Sequence, residues 1–466
     1  MKKNRNRYKH LLTNTIVFGI GNIGTKLIGI LLLPFYTSIL TTAEYGIADI
    51  YTNTINLMLP IVSFSIYDAV LRYTLDEIEH KEKILANGFK ITLLGNSLVP
   101  LVAVLLKVTV LKNMEVTYLV CICIIISVQS FQLLLSNYVR GMNKSKIYAL
   151  SGIINAISTS AFSYIFMYFI KLHLIGYLLS IIIGNLSTII FLCFFIDLKK
   201  MTKIRSHRID LASLLQYSLP LIPNAILWWG LSSSSRFIIL FFKGAEANGI
   251  FSVANKIPSI VTSVAAIFIQ AWQLTAIKEY QKKDTKAYYN SVYNIYYSIM
   301  CFCVFGMIVF LRPVVSILLD FNYYQSWVYS GPLLIGSLFL SLSSFLGTHY
   351  LVVRQTKNIF TTSLVAGIIN LVISLITVPT IGIAGAVLGI CMSYIFLFLL
   401  RIREVENMST LGLNSLGLLL MLPVFAIQLI LITIYDNGFY WYAANSLLAI
   451  YCSTLFYFIY KREVKL

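Results

Sequence analysis

Long apolar runs, broken by short clusters of Lys, Arg, Asn and Pro, recur along the whole chain. A helix crossing the hydrocarbon layer of a bilayer needs about 20 mostly apolar residues. With charge clusters and Pro/Gly breaks as boundaries, the pattern predicts fourteen such helices. Their spans are 11–39, 44–71, 84–107, 115–139, 147–170, 174–196, 211–242, 247–277, 287–311, 327–353, 358–378, 382–402, 412–434 and 440–460. The eleventh and twelfth are separated only at Val378-Pro379-Thr380-Ile381-Gly382. A membrane barrel would instead show alternating segments of about 10 residues. The expected fold is therefore all-α and polytopic.

Composition agrees: 58% of the 466 residues are hydrophobic and 12% are charged, about half the charge of an average soluble domain. A net charge of +18 would suggest nucleic acid in a soluble protein. In a membrane protein it is first tested against topology, because Lys and Arg gather on the cytoplasmic side. With the N-terminus inside, 27 of the 36 basic residues fall in inner segments, including Arg72, Arg140, Arg354, Arg401 and Arg403. Five fall outside (Lys107, Lys112, Lys171, Lys243, Arg312), and four lie within spans. The excess is thus topological, both termini are expected in the cytoplasm, and no nucleic-acid partner is expected. The basic start, MKKNRNRYKH, resembles a signal peptide, but the apolar run after it is long and lacks a small-residue cleavage site, so retention is expected.

The seven cysteines lie in apolar segments without a C-x-x-C pair and read as small hydrophobes. His10, His80, His173, His207 and His349 have no ligand spacing, so no metal and no cofactor are expected. No connection is long enough for a soluble domain, and the outer acids Glu44, Glu115, Glu246, Asp320 and Asp436 are scattered singly. These features argue against a membrane glycosyltransferase or polymerase.

Short motifs recur in order. Ala43-Glu44-Tyr45-Gly46-Ile47 opens the second span and Ala245-Glu246-Ala247-Asn248-Gly249-Ile250 the eighth. Gly152-Ile153-Ile154-Asn155 in the fifth recurs as Gly367-Ile368-Ile369-Asn370 in the eleventh. Ile175-Gly176-Tyr177-Leu178-Leu179 of the sixth resembles Ala384-Gly385-Ala386-Val387-Leu388 of the twelfth. A repeat of six helices is even, so both copies run in the same orientation, as in transporters with parallel halves. The expected organisation is a six-helix bundle over 1–200, a second over 201–405, and two further helices over 406–466.

The basic start running into the first span, Glu44-Tyr45-Gly46, Leu71-Arg72-Tyr73 and Gly249-Ile250-Phe251-Ser252-Val253-Ala254-Asn255-Lys256 together resemble the Wzx-type polysaccharide flippases. These belong to the multidrug/oligosaccharidyl-lipid/polysaccharide exporter superfamily. The resemblance covers nearly the whole chain. It implies two bundles around a central cavity, in a bacterial inner membrane. It also implies export of an undecaprenyl-pyrophosphate-linked oligosaccharide (O-antigen or capsule) by alternating access, with polymerase and chain-length machinery as partners. Ser232 to Ser235 precede Arg236 where an acid is expected. Within the same superfamily, a drug/cation antiporter would need an acidic cavity for cationic substrates. A lipid II or teichoic-acid precursor flippase would look nearly the same in sequence.

An ionised group in mid-bilayer costs at least about 2.5 kcal/mol, so each is a candidate site. The bases are Lys26, Lys90, Arg236 and Lys256, and the acids Asp49 and Asp68. Lys26 shares one helical face with Thr15, Gly19, Asn22 and Gly29, and Lys256 with Gly249, Ser252, Ser259 and Ser263. Small and polar residues together mark a face turned from lipid. Lys26, Arg236 and Lys256 each lie about 11–12 Å from the outer end of their spans, taking 1.5 Å per residue. A cluster at one level would suit the pyrophosphate; snorkelling to the interface is the competing reading, and the one adopted for Lys90. Asp49 heads a polar row with Asn53, Asn56, Pro60, Ser63 and Tyr67 and is the candidate for coupling to H⁺ or Na⁺. Asp68 and Arg72, four apart, are expected to form a local structural pair. The pattern Gly19-x-Gly21-x-x-Gly24 follows no strand and is no nucleotide fingerprint.

Overall fold

The computed structural model describes residues 28–76, 81–109, 115–197, 211–279, 285–353, 355–409, 416–434 and 438–464. Helix dominates these residues and no strand occurs among them. Each predicted span coincides with helix in its described part. Among the described residues, nine helices are long and apolar enough to cross a membrane, and one bent pair makes a tenth. The chain divides into two compact units, residues 22–234 and the part from Ser235 on.

The first unit begins with α1 (Ile28–Ile39) and α2 (Thr42–Val62). Thr41 and Glu44 form a capping box at the start of α2: Glu44 N donates to Thr41 Oγ1 at 3.2 Å, and Thr41 N to Glu44 Oε2 at 2.9 Å. The second span then bends by 56° between α2 and α3 (Ile66–Asp76). Phe64 and Ser65 take left-handed backbone angles there, φ 52° and 48°, and Ser65 N donates back to Pro60 O at 2.9 Å. The bend is seated on α4 (Lys81–Asn96), where Gly95 meets the Val62 carbonyl so closely that no side chain fits. After α5 (Val99–Thr109) come α6 (Val116–Gly141), α7 (Ser145–Ser163), a π-helical turn over Tyr164–Phe169, and α8 (His173–Cys193). Helix α9 (Leu211–Ser218) leads into α10 (Leu221–Ala254). The core of this unit joins Ile66 and Val70 of α3 to Ile84, Leu85, Leu134, Tyr138, Leu192 and Leu214.

The second unit takes over within α10, at Ser235. Gly244 (φ 85°) breaks α10 where the seventh and eighth spans were expected to part. Helix α11 (Lys256–Glu279) follows, then α12 (Thr285–Val309), the short α13 (Leu311–Leu318), α14 (Ser326–Val352), α15 (Thr356–Ile381) and α16 (Ile383–Ser409). Gly382 (φ 64°) alone separates α15 from α16, which confirms the narrow break read from Val378 to Gly382. Pro258 has no N–H for the Ala254 carbonyl; the fully buried Ser330 hydroxyl of α14 donates to that carbonyl at 3.0 Å. Phe345 of α14 is ringed by Trp272, Tyr289, Tyr293 and Tyr296. The last two helices, α17 (Leu416–Ile434) and α18 (Phe439–Val464), are joined by a buried amide pair, Gln428 Nε2 to Asn445 Oδ1 at 2.8 Å. Such a bond is worth about 0.6–1.7 kcal/mol in a membrane. Trp441 Nε1 ties them to α12 through Val309 O at 3.0 Å.

The helices that carry the recurring Asn motif meet their successors in a similar way. In α7/α8, Gly184 lies against Thr159 and the carbonyl of Asn155. In α15/α16, Gly389 lies against Ser374 and Asn370. Asn155 and Thr159 are four apart, as are Asn370 and Ser374, so each copy presents an Asn and a hydroxyl residue one turn on to a glycine of the next helix.

Candidate functional site

Asn53 is the best-held of the predicted site residues. It is half-buried on α2, and its Nδ2 donates to Asp49 O one turn back at 2.8 Å. Two groups of α10 converge on it: Trp229 Nε1 donates to Asn53 O at 2.7 Å and Ser233 Oγ to Asn53 Oδ1 at 2.8 Å. The seventh span is thus fastened to the second at the level of the polar row, and Asn56, one turn further along that row, is exposed. Asp49 is half-buried beside Asn53.

Arg236 sits on α10 just beyond this contact. It is half-buried, its guanidinium 5.9 Å from the Phe251 ring centroid, and Tyr394 of α16 lies in its field. The preceding residue, Ser235, is buried and exchanges hydrogen bonds with the buried Asn370 amide (Asn370 Nδ2 to Ser235 Oγ, 3.2 Å). Ser374 Oγ donates to the same amide oxygen at 3.2 Å. The Asn of the repeated motif therefore holds the Arg-bearing helix in the second unit, while Asn155 pairs with Asn185 at 3.0 Å in the first.

Lys256 stands at the start of α11 and is half-buried. The single stripe expected through it is divided by the structure. Gly249 and Ser252 are buried at the end of α10, whereas Lys256, Ser259 and Ser263 keep exposed or half-exposed positions after the turn at Asn255. Ser259 Oγ donates to Lys256 O at 2.6 Å. Lys26 and Asn22 lie outside the described residues. Lys90 is exposed on α4.

The expected Asp68–Arg72 pair does not form. Arg72 reaches forward along α3 to Asp76, Nε to Oδ2 at 3.2 Å, and Asp68 interacts electrostatically with Arg140 of α6. Both residues lie on α3, past the bend. Asp68 occupies the first turn of a new helix that packs on α6, while Arg72 and Asp76 share its exposed face.

Two buried cations were counted in the sequence as loop charges. Arg401 of α16 is only 4% exposed. Its guanidinium donates to Ser343 O (Nη1, 2.9 Å), Ser363 Oγ (Nη2, 2.9 Å) and Thr362 Oγ1 (Nε, 3.2 Å), joining α14, α15 and α16. Gly347 leaves the room it occupies. Beside it, Tyr350 OH donates to Glu404 Oε2 at 2.8 Å. Arg312 of α13 is 6% exposed and lies 4.1 Å from the Trp327 ring centroid. The adjacent hydroxyls Thr362-Ser363, which both accept from Arg401, were the available signal, since hydroxyls in apolar helices need partners. Among the described residues, no group of three or more His, Cys, Asp or Glu is placed to hold a metal ion.

Residues 11–274 match the model of the polysaccharide biosynthesis protein family. No curated protein matches the sequence. Among solved structures, the inward-closed lipid II flippase MurJ aligns with a TM-score of 0.70 at 15% identity, over 97% of this chain and 100% of that one. An inward-facing multidrug-resistance MATE transporter aligns at 0.69 and 12% identity, over 83% and 95%. A transporter from Pyrococcus furiosus, described as having a binding pocket of reversed polarity, aligns at 0.60 and 13% identity, over 88% and 97%. At these identities the likeness is one of fold. The family match spans more than half of the chain: it belongs to the polysaccharide biosynthesis protein family and has the fold of the MATE and MurJ transporters.

Proposed function

We propose that this membrane protein moves a polyprenyl-pyrophosphate-linked oligosaccharide from the inner to the outer leaflet of a bacterial cytoplasmic membrane, by alternating access. The observation that carries the reading is a half-buried arginine within a membrane helix, Arg236 on α10, in a chain of the polysaccharide biosynthesis family. A pyrophosphate bears two to three negative charges, and a guanidinium offers it a planar fork of donors. Lys256, and Lys26 from the sequence, supply further positive charge. Asn53 and Asn22 offer amides, and Asp49 takes the coupling H⁺ or Na⁺. Both termini face the cytoplasm in this reading, and a polymerase receives the product outside.

The protein carries no reaction of its own here: the lipid changes leaflet without a bond being made or broken. A drug antiporter, suggested by the MATE fold, would need acidic groups for cationic substrates, and the membrane-embedded charge is mainly basic. The MurJ likeness keeps lipid II or a related precursor as a second substrate class.

The test replaces Lys26, Arg236 and Lys256 singly with Ala and follows surface glycan in a strain lacking the native copy, at matched expression. The reading expects glycan to fall by at least tenfold for Arg236→Ala and measurably for the two lysines. Undiminished glycan in all three strains would remove the cationic site.

A further inference from the structure

Between α2 and α3 the second span leaves the helix for three residues, Ser63, Phe64 and Ser65. Phe64 and Ser65 take left-handed angles, φ 52° and 48°, where the Cβ of an L-residue crowds its own backbone. Neither is glycine or asparagine, the residues that visit this region readily. Such a pair persists only where the surrounding structure enforces it. In a membrane the default for this sequence is an unbroken helix, which satisfies every backbone group internally.

The chain is nonetheless built to bend here. Pro60 has no N–H for the Asn56 carbonyl, and Ser63 Oγ donates back to Leu59 O at 2.6 Å, so the last turn of α2 is already weakened. The bend also keeps its amides bonded: Phe64 N to Ile61 O (3.3 Å), Ser65 N to Pro60 O (2.9 Å) and Ile66 N to Ser63 O (3.0 Å). What enforces it is tertiary. Gly95 of α4 lies so close to the Val62 carbonyl that a Cβ would overlap it, and it also touches the Phe64 ring. Asn96 Nδ2 ties that end of α4 to Ser130 Oγ of α6 at 2.9 Å. Beyond the bend, Ile66, Ala69 and Val70 are fully buried with Ile84 of α4 and Leu134 of α6. A local preference for a straight helix is thus opposed by one seat that requires a glycine.

We propose that Ser63–Ser65 is a two-state hinge. The second span bends onto Gly95 in one state of the protein and straightens into one continuous helix in the other, as Phe64 and Ser65 return to right-handed angles. Because α3 is fixed in the core, α2 is the arm that moves. It carries Asn53, and through the bonds from Trp229 and Ser233 the start of α10 moves with it. The hinge goes beyond the flippase reading above and is independent of what the substrate is.

The experiment uses the full-length protein in lipid nanodiscs, with its seven native cysteines replaced by alanine and nitroxide labels on Ala43→Cys of α2 and Leu75→Cys of α3. Arms of about 32 and 16 Å, at 1.5 Å per residue, meet at the 56° bend. The labels are then about 43 Å apart in the bent state and about 48 Å apart in the straight one. Pulsed electron spin resonance is expected to show both distances in the parent. Gly95→Ala, whose methyl meets the Val62 carbonyl, shifts the ratio about threefold or more towards the long distance. Phe64→Gly combined with Ser65→Gly removes the Cβ crowding and shifts it about threefold or more towards the short one. The double glycine variant leaves α4 untouched, so it tests the hinge even where Gly95→Ala fails to fold. An unchanged ratio in either folded variant, or a shift opposite to the one stated, describes a fixed elbow and overturns the proposal. The readout is a distance within the protein alone, so failure of the flippase reading leaves this test standing.

Discussion

Replacing Arg401 by lysine should damage the protein more than replacing it by methionine. The guanidinium is buried and makes three hydrogen bonds of 3.2 Å or less, to acceptors on α14 and α15, with Ile359 O a fourth at 3.5 Å. A lysine keeps the charge in the same site, but its single ammonium cannot span the fork, so two of the three bonds are lost. Hydrogen bonds to charged groups contribute about 1.5–3 kcal/mol each, which gives a loss of about 3–6 kcal/mol for Arg401→Lys. Methionine removes the buried charge together with its desolvation cost. Such exchanges are often neutral or stabilising when the shape is kept. Thr362 Oγ1 retains its bond to Asn358 O at 2.7 Å, and half-buried Glu404 keeps the Tyr350 hydroxyl. Arg401→Met should therefore stay within about 2 kcal/mol of the parent. Thermal unfolding in detergent, followed by tryptophan fluorescence and by the monodisperse fraction recovered after heating, ranks the three proteins. Arg401→Lys at parental stability, or below Arg401→Met by nothing measurable, would refute the fork as the reason for this arginine.

Three other substitutions check separate contacts. Ser330→Ala leaves the Ala254 carbonyl, freed by Pro258, without the hydroxyl at 3.0 Å, and should cost about 1–3 kcal/mol in the same melt. Gly389→Ala places a methyl 2.6 Å from Ser374 Oγ and 3.0 Å from Asn370 Oδ1; it should lower the melting temperature and, through Asn370, reduce transport more than a matching Gly230→Ala, where the space is open. Asp76→Asn breaks the exposed pair with Arg72 and should change stability by less than about 0.5 kcal/mol, with glycan export unaltered.

The helices were legible because the bilayer enforces one rule throughout, an apolar run of fixed length. Even the break at Gly382 could be read, since Pro379 and a glycine stand together there. The bend of the second span was not. The left-handed turn at Phe64–Ser65 is accompanied by Gly95 of another helix meeting the Val62 carbonyl, a tertiary contact with no local signature. Asp68 and Arg72 both follow the bend on α3, yet Asp68 interacts with Arg140 of α6 and Arg72 with Asp76. The recurring Asn motif places Asn155 and Asn370 at similar contacts, each against a glycine of the following helix, although the interval from Asn155 to Gly176 exceeds that from Asn370 to Gly385 by six residues. Of the candidate site residues, Asn53 lies on α2 beside Asp49, with which the sequence grouped it, and is held by Trp229 and Ser233. The row of Lys256 presumes one unbroken helix, and the chain turns at Asn255, just before Lys256. Arg401 was hidden by its position near a span end, where a basic residue is ordinarily topogenic.

The central claim is tested most directly by reconstitution. Purified protein is placed in sealed vesicles with a polyprenyl-pyrophosphoryl oligosaccharide in the membrane, and exposure of the sugar on the opposite leaflet is timed with a sugar-cleaving enzyme that cannot cross. The account predicts that vesicles with the protein expose the sugar far faster than protein-free vesicles, and that Arg236→Ala slows this at least tenfold. Exposure no faster than in protein-free vesicles, or a rate unchanged by Arg236→Ala, would contradict it.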